Sequence, residues 1–371
     1  MKFQISKQKL FKSLSHLQGI VDKKNTLPIL SNILIEAKDA SLILTSTDMD
    51  ISIVEKLDCN VLENGATTIN SQIFYDIIRK LEENSEIEVI SNESKILTLR
   101  ANGSRFSLAC LPKEDFPIID KENEGTKIKI NSQIFAKLID KTKFAISNEE
   151  TRYFLNGLYF NIFEDKEKTN VTLVGTDGHR LAKFSYIINE KINQISGVII
   201  PKKTINELSK LLSDIDEDIE IIISSSKIIF YIDNLVFISK LIDGTFPDYK
   251  RVIPLDNNNT IEVTRENLLS AVDRVSTITN EKSPVIKFKL LQNIVNLNTI
   301  NNDNSTATED IKLSYNGDEF EIGFNSKYIM DIVNNLEDEI IILKLKDSSS
   351  PIIAQEKSNP DLVYVLMPMR V

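Results

Sequence analysis

The sequence predicts an α+β fold of three tandem domains, each made of two units that contain one helix and about four short strands. Six times along the 371 residues, a short apolar strand is followed by a capping residue and a stretch with apolar residues at helical spacing. The capping positions are separated by 61 to 70 residues: Ser6, Asn70, Asn131, Pro201, Thr264 and Asn325. Such regular spacing is typical of a repeat architecture, which forms a curved, symmetric object rather than a globule with a single pocket.

Each predicted helix has a physical reason to begin where it does. Ser, Thr and Asn side chains accept a hydrogen bond from a first-turn amide that lacks a helical partner, and Pro201 has no amide of its own. Apolar residues then recur on one face, as with Leu10, Phe11 and Leu14, so one side of each helix is expected to be buried. The predicted helices cover residues 6–20, 70–81, 131–145, 201–213, 264–278 and 325–337.

Between the helices the apolar pattern changes to that of strands. Short segments rich in Ile, Val, Leu and Thr are bounded by Asn, Asp, Gly and Ser, which favour turns. The clearest of these segments are residues 41–45, 87–90, 96–99, 171–174 and 219–223.

A slower period groups the six units in pairs. Phe116-Pro117, Phe246-Pro247 and Met367-Pro368 each follow a strand, 43 to 47 residues after the second, fourth and sixth helix starts. The chain becomes polar at residues 120–126 and 256–260, which suits short linkers. We therefore predict three domains, at residues 1–121, 127–254 and 259–371.

The charge of the chain is unevenly distributed. The whole chain has 44 Lys and Arg against 54 Asp and Glu, a net charge of −10 that on average argues against a polyanionic partner. In the predicted helices, however, basic residues outnumber acidic ones, most clearly in the first four. This segregation predicts a positive helical layer and a negative remainder. Lysines that only solvate a helix face are an open alternative.

Composition also limits the location of the protein. No apolar run approaches the 18 residues typical of a membrane-spanning helix, and the chain begins directly with a strand, so we expect neither membrane association nor a secretory leader. Cys59 and Cys110 lie in strand-like sequence and are expected to be buried thiols. These features predict a cytoplasmic protein in a reducing environment.

Two segments could support enzyme chemistry. Asp48 with Asp50, and Asp177 with His179, could bind a metal or act as an acid/base pair. The two Thr-Asp segments nevertheless occupy equivalent places after their helices, which predicts turns. The chain has one other histidine, His16, and lacks both metal-ligand spacing and a phosphate-binding Gly loop. We expect no catalysis, metal or cofactor; a static scaffold is a third interpretation.

Five separated motifs resemble one known family, the bacterial DNA sliding clamps, which are β subunits of the replicative DNA polymerase III holoenzyme. They are Thr-Leu-Pro-Ile-Leu-Ser-Asn at 26–32, Glu-Thr-Arg-Tyr-Phe-Leu-Asn-Gly at 150–157, Thr-Asp-Gly-His-Arg-Leu at 176–181, Asp-Gly-Thr-Phe-Pro-Asp-Tyr at 243–249 and Tyr-Val-Leu-Met-Pro-Met-Arg at 364–370. The resemblance extends over the whole chain in the same order.

The resemblance implies a head-to-tail homodimer that closes into a ring, with helices lining the hole and sheets outside. Such a ring would encircle double-stranded DNA and slide without sequence preference, because contacts to phosphates alone read no bases. The predicted DNA-binding residues combine helix cations with residues of loops that touch DNA in this family. They are Lys12, Lys24, Arg79, Lys80, Lys137, Lys141, Arg152, Tyr153, Lys202 and Lys203. The acidic pair Glu149 and Glu150 weakens the case for the loop that contains Arg152.

The family also implies an apolar cleft between the second and third domains. It takes short peptides with a Gln and a terminal Leu or Phe pair from the replicative polymerase, the clamp loader and other replication and repair proteins. One predicted wall is formed by Leu155, Thr176, Gly178, His179, Arg180, Leu181, Pro247, Arg251 and Val252. The other is formed by Asn325, Tyr328, Val365, Leu366, Met367, Pro368, Met369 and Arg370. A Met-Pro-Met end is adaptable apolar surface that suits such binding, although ordinary core packing is an alternative.

The implied dimer contact joins the first domain of one chain to the third domain of the other. Its predicted residues are Ile77, Leu81, Phe106 and Leu108 on one side and Thr277 and Ile278 on the other. Three positions depart from the family pattern. Thr277 replaces an aliphatic residue, Ser283 stands where many members have an aromatic residue, and Val371 replaces the commoner Leu.

Overall fold

The computed structural model describes residues 1–21, 27–92, 95–120, 124–165, 168–188, 192, 195–280, 284–301 and 303–370. Lys24, Ser283 and Val371 lie outside the described residues. The chain divides into two compact units. Unit 1 contains Met1–Ala136 and Asn206–Leu241, and unit 2 contains Lys137–Ile205 and Ile242–Val371.

Six helices occur in the described part of the chain, and each begins one residue after a predicted capping position. They are α1 (Lys7–Gln18), α2 (Ser71–Lys80), α3 (Ser132–Asp140), α4 (Lys202–Leu212), α5 (Arg265–Ser276) and α6 (Ser326–Asn335). The helices end earlier than predicted. The difference is largest in α3, where the chain continues as a separate short turn at Lys143–Ala145.

The predicted caps form at the asparagines. The side-chain oxygen of Asn70 accepts the amide of Ile73 at 3.0 Å, and Asn131 and Asn325 accept first-turn amides in the same way. The prediction is wrong for Ser6 and Thr264, whose side chains make no capping bond. At both of these helix starts the first amide donates to a distant carbonyl, that of Ser85 or Glu339, as the first amides of α3 and α6 also do.

The strands alternate with the helices as the repeat predicts, and most helices are followed by four strands. In the first half of the chain the strands are β1 (Lys2–Ser6), β2 (Asn32–Lys38), β3 (Ser41–Thr47), β4 (Ile51–Asp58), β5 (Asn60–Glu63), β6 (Gly65–Asn70), β7 (Glu86–Ser91), β8 (Ile96–Ala101), β9 (Ser104–Leu111), β10 (Thr126–Asn131), β11 (Gly157–Asp165), β12 (Lys168–Thr176) and β13 (Arg180–Ile188). In the second half they are β14 (Ile195–Pro201), β15 (Asp218–Ile223), β16 (Lys227–Ile232), β17 (Leu235–Lys240), β18 (Asn259–Thr264), β19 (Val285–Leu291), β20 (Ile294–Ile300), β21 (Thr306–Lys312), β22 (Phe320–Asn325), β23 (Ile340–Leu345), β24 (Ile352–Glu356) and β25 (Leu362–Leu366).

Unit 1 contains one 13-stranded sheet in the order β10-β15-β16-β17-β4-β3-β2-β6-β9-β8-β7-β1-β5. Antiparallel pairing of β4 with β17, from Ile51 with Ser239 to Glu55 with Leu235, joins strands that are far apart in the sequence. Leu10 and Leu14 of α1 and Phe74 of α2 are fully buried, so the apolar helix faces form the core of this unit.

Unit 2 contains an eight-stranded sheet in the order β14-β11-β12-β13-β25-β24-β23-β18, and a four-stranded sheet in the order β21-β20-β19-β22. The pairing of β13 with β25, from Arg180 with Leu366 to Phe184 with Leu362, is the feature that matters most for the site. It places the start of β13 beside the C-terminal end of the chain.

Candidate functional site

A cavity of about 340 Å³ opens in unit 2 where β13 meets β25. Its lining includes many residues of the predicted cleft: Leu155, Thr176, Gly178, Arg180, Leu181, Pro247, Val252, Val365 and Met367. Arg152, Phe154 and Tyr249 complete the lining. The floor is a buried apolar cluster that includes Leu155, Leu181 and Val365, so the cavity can accept an apolar side chain.

The edge of the cavity is the turn between β12 and β13, whose shape is fixed by its own side chains. Thr176 Oγ1 donates to the carbonyl of Arg180 at 2.6 Å and accepts the amide of Gly178 at 3.1 Å. Asp177 Oδ1 accepts the amides of His179 and Arg180 at 2.9 and 3.0 Å. Gly178 has φ of +86°, a conformation that favours glycine. The prediction that Asp177 acts through turn chemistry is therefore consistent with its hydrogen bonds.

Arg180 is a fixed wall of the cavity. Its Nε donates to Asp177 Oδ2 at 3.1 Å, its Nη1 donates to Asp331 of α6, and its Nη2 donates to the carbonyl of Phe144 at 3.0 Å. The guanidinium carbon lies 4.4 Å from the ring centre of Tyr328 and 5.2 Å from that of Phe144. With its side chain only 10% exposed, Arg180 is held from several directions.

The C-terminal segment is anchored on both sides. The amide of Met367 donates to the carbonyl of His179 at 2.9 Å, and the amide of Met369 donates to the carbonyl of Gly323 at 2.8 Å. These bonds leave the Met367 side chain 38% exposed at the cavity. The backbone of this segment is thus fixed by hydrogen bonds, and Met367 presents apolar surface to the cavity.

Several predicted cleft residues lie outside the lining of this cavity. The ring of His179 stacks on that of Tyr328, with centroids 6.2 Å apart, and Asn325 is occupied as the cap of α6. Leu366 is buried within the sheet, and Arg251 is exposed and paired with Asp248 at 2.9 Å. Pro368 and Met369 are half-buried and Arg370 is exposed, and none of the three lines the cavity.

Sequence reasoning missed two lining residues, Phe154 and Tyr249. Tyr249 is buried, and this burial raises its pKa to about 12. Both residues lie inside motifs that also supply Leu155 and Pro247, so each motif as a whole was the signal that could have identified them. Arg152, which was predicted to contact DNA, also lines the cavity and pairs with Glu149 at 2.8 Å.

The other predicted DNA-binding residues differ in their availability. Lys12, Arg79, Lys80 and Lys137 are exposed, Tyr153 is 53% exposed, and Lys202 and Lys203 are half-buried at the start of α4. Arg79 pairs with Asp76 at 3.1 Å, and Lys202 donates to Asn148 at 2.5 Å.

The position of Lys141 argues against its predicted contact with DNA. Its side chain is buried, lies 2.7 Å from Glu337 and donates to the carbonyl of Asn335 at 2.6 Å. The hydrogen bond from Lys141 is also the main reason why the pKa of Glu337 is lowered. This lysine is used to hold the end of α6, because a buried cation requires such partners.

The predicted dimer residues lie at the surface of their units. In unit 1, Ile77, Leu81, Phe106 and Leu108 are half-buried. In unit 2, Thr277 is exposed and Ile278 is half-buried, just after α5.

No group of three or more His, Cys, Asp or Glu residues in the described part of the chain is arranged to bind a metal ion. Likewise, none of the helices in that part of the chain has the length and apolar character needed to span a membrane.

Comparison with known proteins matches the chain along its whole length. Models of the DNA polymerase III beta subunit match here as its N-terminal domain at residues 1–120, its central domain at 129–248 and its C-terminal domain at 250–370. The chain belongs to the beta sliding clamp family. It is 37% identical over 372 residues to the beta sliding clamp of Caulobacter vibrioides and 34% identical over 372 residues to that of Escherichia coli K12. Each alignment covers the whole of this chain and the whole of the relative.

Solved structures of the family agree. The DnaN sliding clamp of Bartonella birtlesii, bound to griselimycin, superposes with a TM-score of 0.96 at 41% identity and complete coverage of both chains. The predicted α+β fold with three clamp domains is confirmed. The family is a non-catalytic processivity factor, so the chain is a replication clamp, and the alternative of an enzyme is excluded by family membership.

Proposed function

We propose that this clamp forms a head-to-tail homodimeric ring around double-stranded DNA and tethers partner proteins through the cavity at β13 and β25. The observation that carries the proposal is the apolar cavity. One of its walls is formed by Val365 and Met367, and the amide of Met367 is hydrogen-bonded to the carbonyl of His179. The expected partners are the replicative polymerase, the clamp loader and other replication and repair proteins with the peptide motif, in the cytoplasm. The predicted domain limits at 1–121, 127–254 and 259–371 are part of the same proposal.

Two strand edges support the head-to-tail dimer. In the described residues, β9 pairs with β8 along its length, but with β6 only at Cys110 and Leu111. Residues 104–109 of β9 therefore offer an edge in unit 1, and β21 is an edge strand of the four-stranded sheet in unit 2. Open edges can pair with another chain. Pairing β9 of one chain with β21 of a second chain, twice, would close a ring of two.

Apolar side chains near these edges favour the same contact. Phe106 and Leu108 lie on β9 and are half-buried in the single chain. Thr277 buries less apolar area than an aliphatic residue would, so we expect a weaker dimer than in relatives with an aliphatic residue there.

The cavity suits an apolar peptide anchor. Burying a Leu or Phe side chain against the floor of Leu155, Leu181 and Val365 is worth roughly 2–3 kcal/mol. That is a large share of the binding free energy of about −8 kcal/mol that corresponds to a micromolar peptide. Because a Bartonella relative is bound to griselimycin, competition between griselimycin and a fluorescent partner peptide is a direct test on this chain.

The proposed DNA-binding surface consists of the predicted basic residues of the helices, without the buried Lys141. Exposed Lys12 and Lys80 can contact phosphates. Lys137, which is paired with Glu337 at 3.4 Å, and Lys202 and Lys203 can do so if they exchange their present partners for DNA. Such contacts provide attraction that falls with salt and carries no base preference.

Retention on circular DNA tests the ring. We expect the protein, loaded onto nicked circles by a loader from the same replisome, to co-elute with the DNA and to be released when the circle is cut. The mass of the protein in solution should correspond to two chains. Equal retention on linear DNA with free ends would contradict a topological link.

The lysine contacts have their own test. Changing Lys12, Lys202 and Lys203 to Glu should lower duplex affinity and loading and flatten the salt dependence, while the dimer persists. The matched control changes three exposed strand lysines, Lys127, Lys129 and Lys289, to Glu, which alters the net charge equally. Equal loss in both triple variants would indicate an effect of net charge and not a helix contact.

A further inference from the structure

Arg180 connects the cavity to α6. The arginine lines the cavity, whereas its partner Asp331 lies on α6 and does not. Asp177, the other acidic partner, already accepts two backbone amides of the turn as well as Arg180 Nε. The ion pair with Asp331 therefore adds a charged contact between the arginine and α6, beside the ring of Tyr328 on the same helix.

Without these contacts the side chain of Arg180 could adopt several rotamers. An arginine has several rotatable bonds, and holding it in one rotamer has an entropic cost that its partners must offset. Here the planar group lies between the rings of Tyr328 and Phe144, with each nitrogen directed at a separate acceptor. Removal of Asp331 leaves Nη1 without its acidic partner and weakens the restraint on the side that faces α6.

The end of α6 is fixed independently of Arg180. Lys141 donates to the carbonyl of Asn335 and pairs with Glu337, and the Tyr364 hydroxyl donates to the carbonyl of Lys141 at 3.0 Å. Loss of the Asp331 carboxylate should therefore loosen the restraint on Arg180 without loosening the end of α6.

We propose that Asp331 is a positioning residue for partner-peptide binding, which holds Arg180 in place as a wall of the cavity. This inference rests on the proposed peptide-binding function. Asp331 does not touch the peptide, and its effect is transmitted entirely through the guanidinium of Arg180.

The test measures the affinity of a fluorescein-labelled peptide with a Gln and a C-terminal Leu-Phe pair, by anisotropy on the full-length dimer. We expect Asp331→Asn to weaken binding about fivefold to tenfold, which is typical of coupling between groups in contact. Asp331→Glu, which retains the charge, should restore most of the affinity. Glu337→Gln is the matched control, because it removes the ion pairs with Lys137 and Lys141 just after the same helix without touching Arg180; it should change affinity less than twofold.

A double-mutant cycle separates positioning from general loosening. In an Arg180→Ala background, Asp331→Asn should have no further effect on peptide affinity. An equal loss in both backgrounds, an equal loss from Glu337→Gln, or unchanged affinity in Asp331→Asn would each overturn the inference while leaving the cavity as the peptide site. Failure of the wild-type protein to bind the peptide would instead overturn the proposed function, and the inference with it. Thermal unfolding and mass measurement establish that each variant is a folded dimer.

Discussion

Two turns, one in each unit, have the same local structure but different surroundings: the turn in unit 2 borders the apolar cavity, and the turn in unit 1 does not. In unit 1, Thr47 Oγ1 donates to the carbonyl of Ile51 at 2.8 Å, and Asp48 Oδ1 accepts the amides of Asp50 and Ile51 at 2.9 and 2.7 Å. Thr176 and Asp177 make the same set of bonds in unit 2. The third residue has positive φ in both, +78° at Met49 and +86° at Gly178. Local turn chemistry therefore does not make the second turn a binding site.

The two turns differ in the side chains of the strand that is hydrogen-bonded to each of them. The amide of Lys240, at the end of β17, donates to the carbonyl of Asp50 at 2.8 Å, just as Met367 donates to His179 at the end of β25. In unit 1 the Lys240 side chain then pairs with Asp50 at 3.0 Å and forms a charged surface. In unit 2, Met367 is apolar and Arg180 follows the turn, so the same backbone junction borders an apolar cavity. Side chains at two or three positions decide which junction borders an apolar cavity.

The largest expected effect comes from removing the unit 2 strand end. Deletion of Met367 to Val371 removes the Met367 side chain and the bond to His179, so we expect peptide affinity to fall roughly 100-fold or more. Fluorescence anisotropy measures this loss. The deletion leaves the edges of β9 and β21 intact, and a variant that is still dimeric yet binds normally would show that the peptide site is elsewhere.

An intermediate effect is expected from making the second turn resemble the first. Gly178→Met introduces a Cβ that would lie 2.6 Å from Arg152 Nη1, at a φ where L side chains are strained by about 1–2 kcal/mol. Because Arg152 lines the cavity, its displacement should weaken peptide binding about tenfold. The reciprocal change, Met49→Gly, serves as the control and should leave peptide affinity unchanged. Titration of both variants with the same peptide measures the two affinities, and an equal affinity in both would contradict the prediction.

The smallest effect is expected from making the unit 1 junction resemble the cleft. Lys240→Met removes an exposed ion pair with Asp50, and such pairs contribute about 0–1 kcal/mol, so denaturant unfolding should change only slightly. No peptide binding should appear at this junction, because Ile51 stands where Arg180 stands in unit 2. A second binding event in calorimetric titration of this variant would contradict the view that Arg180 and its partners define the cavity.

Much of the fold and of the site was predictable because the relevant forces are local or repeated. The caps at Asn70, Asn131 and Asn325 and the apolar helix faces follow from side-chain chemistry within a few residues. The motifs place Thr176, Gly178, Arg180, Leu181 and Met367 in the cleft, and all five line the cavity. The side chains of Ser6 and Thr264 make no capping hydrogen bond, which shows that a favourable residue type at the capping position does not by itself ensure the bond.

The six-unit period, the turns at Asp48 and Asp177 and the family can be read from the sequence, because they depend on spacing and on the order of motifs along the chain. Which cations are available and which side chains share a wall of the cavity depends on the folded structure. Lys141 belongs to a basic helical stretch, yet its position beside Glu337 and the carbonyl of Asn335 buries it. Asp331 acquires its importance only because α6 brings it to Arg180, 151 residues away in sequence. Burial and ion pairing depend on distances between remote segments, and packing sets those distances.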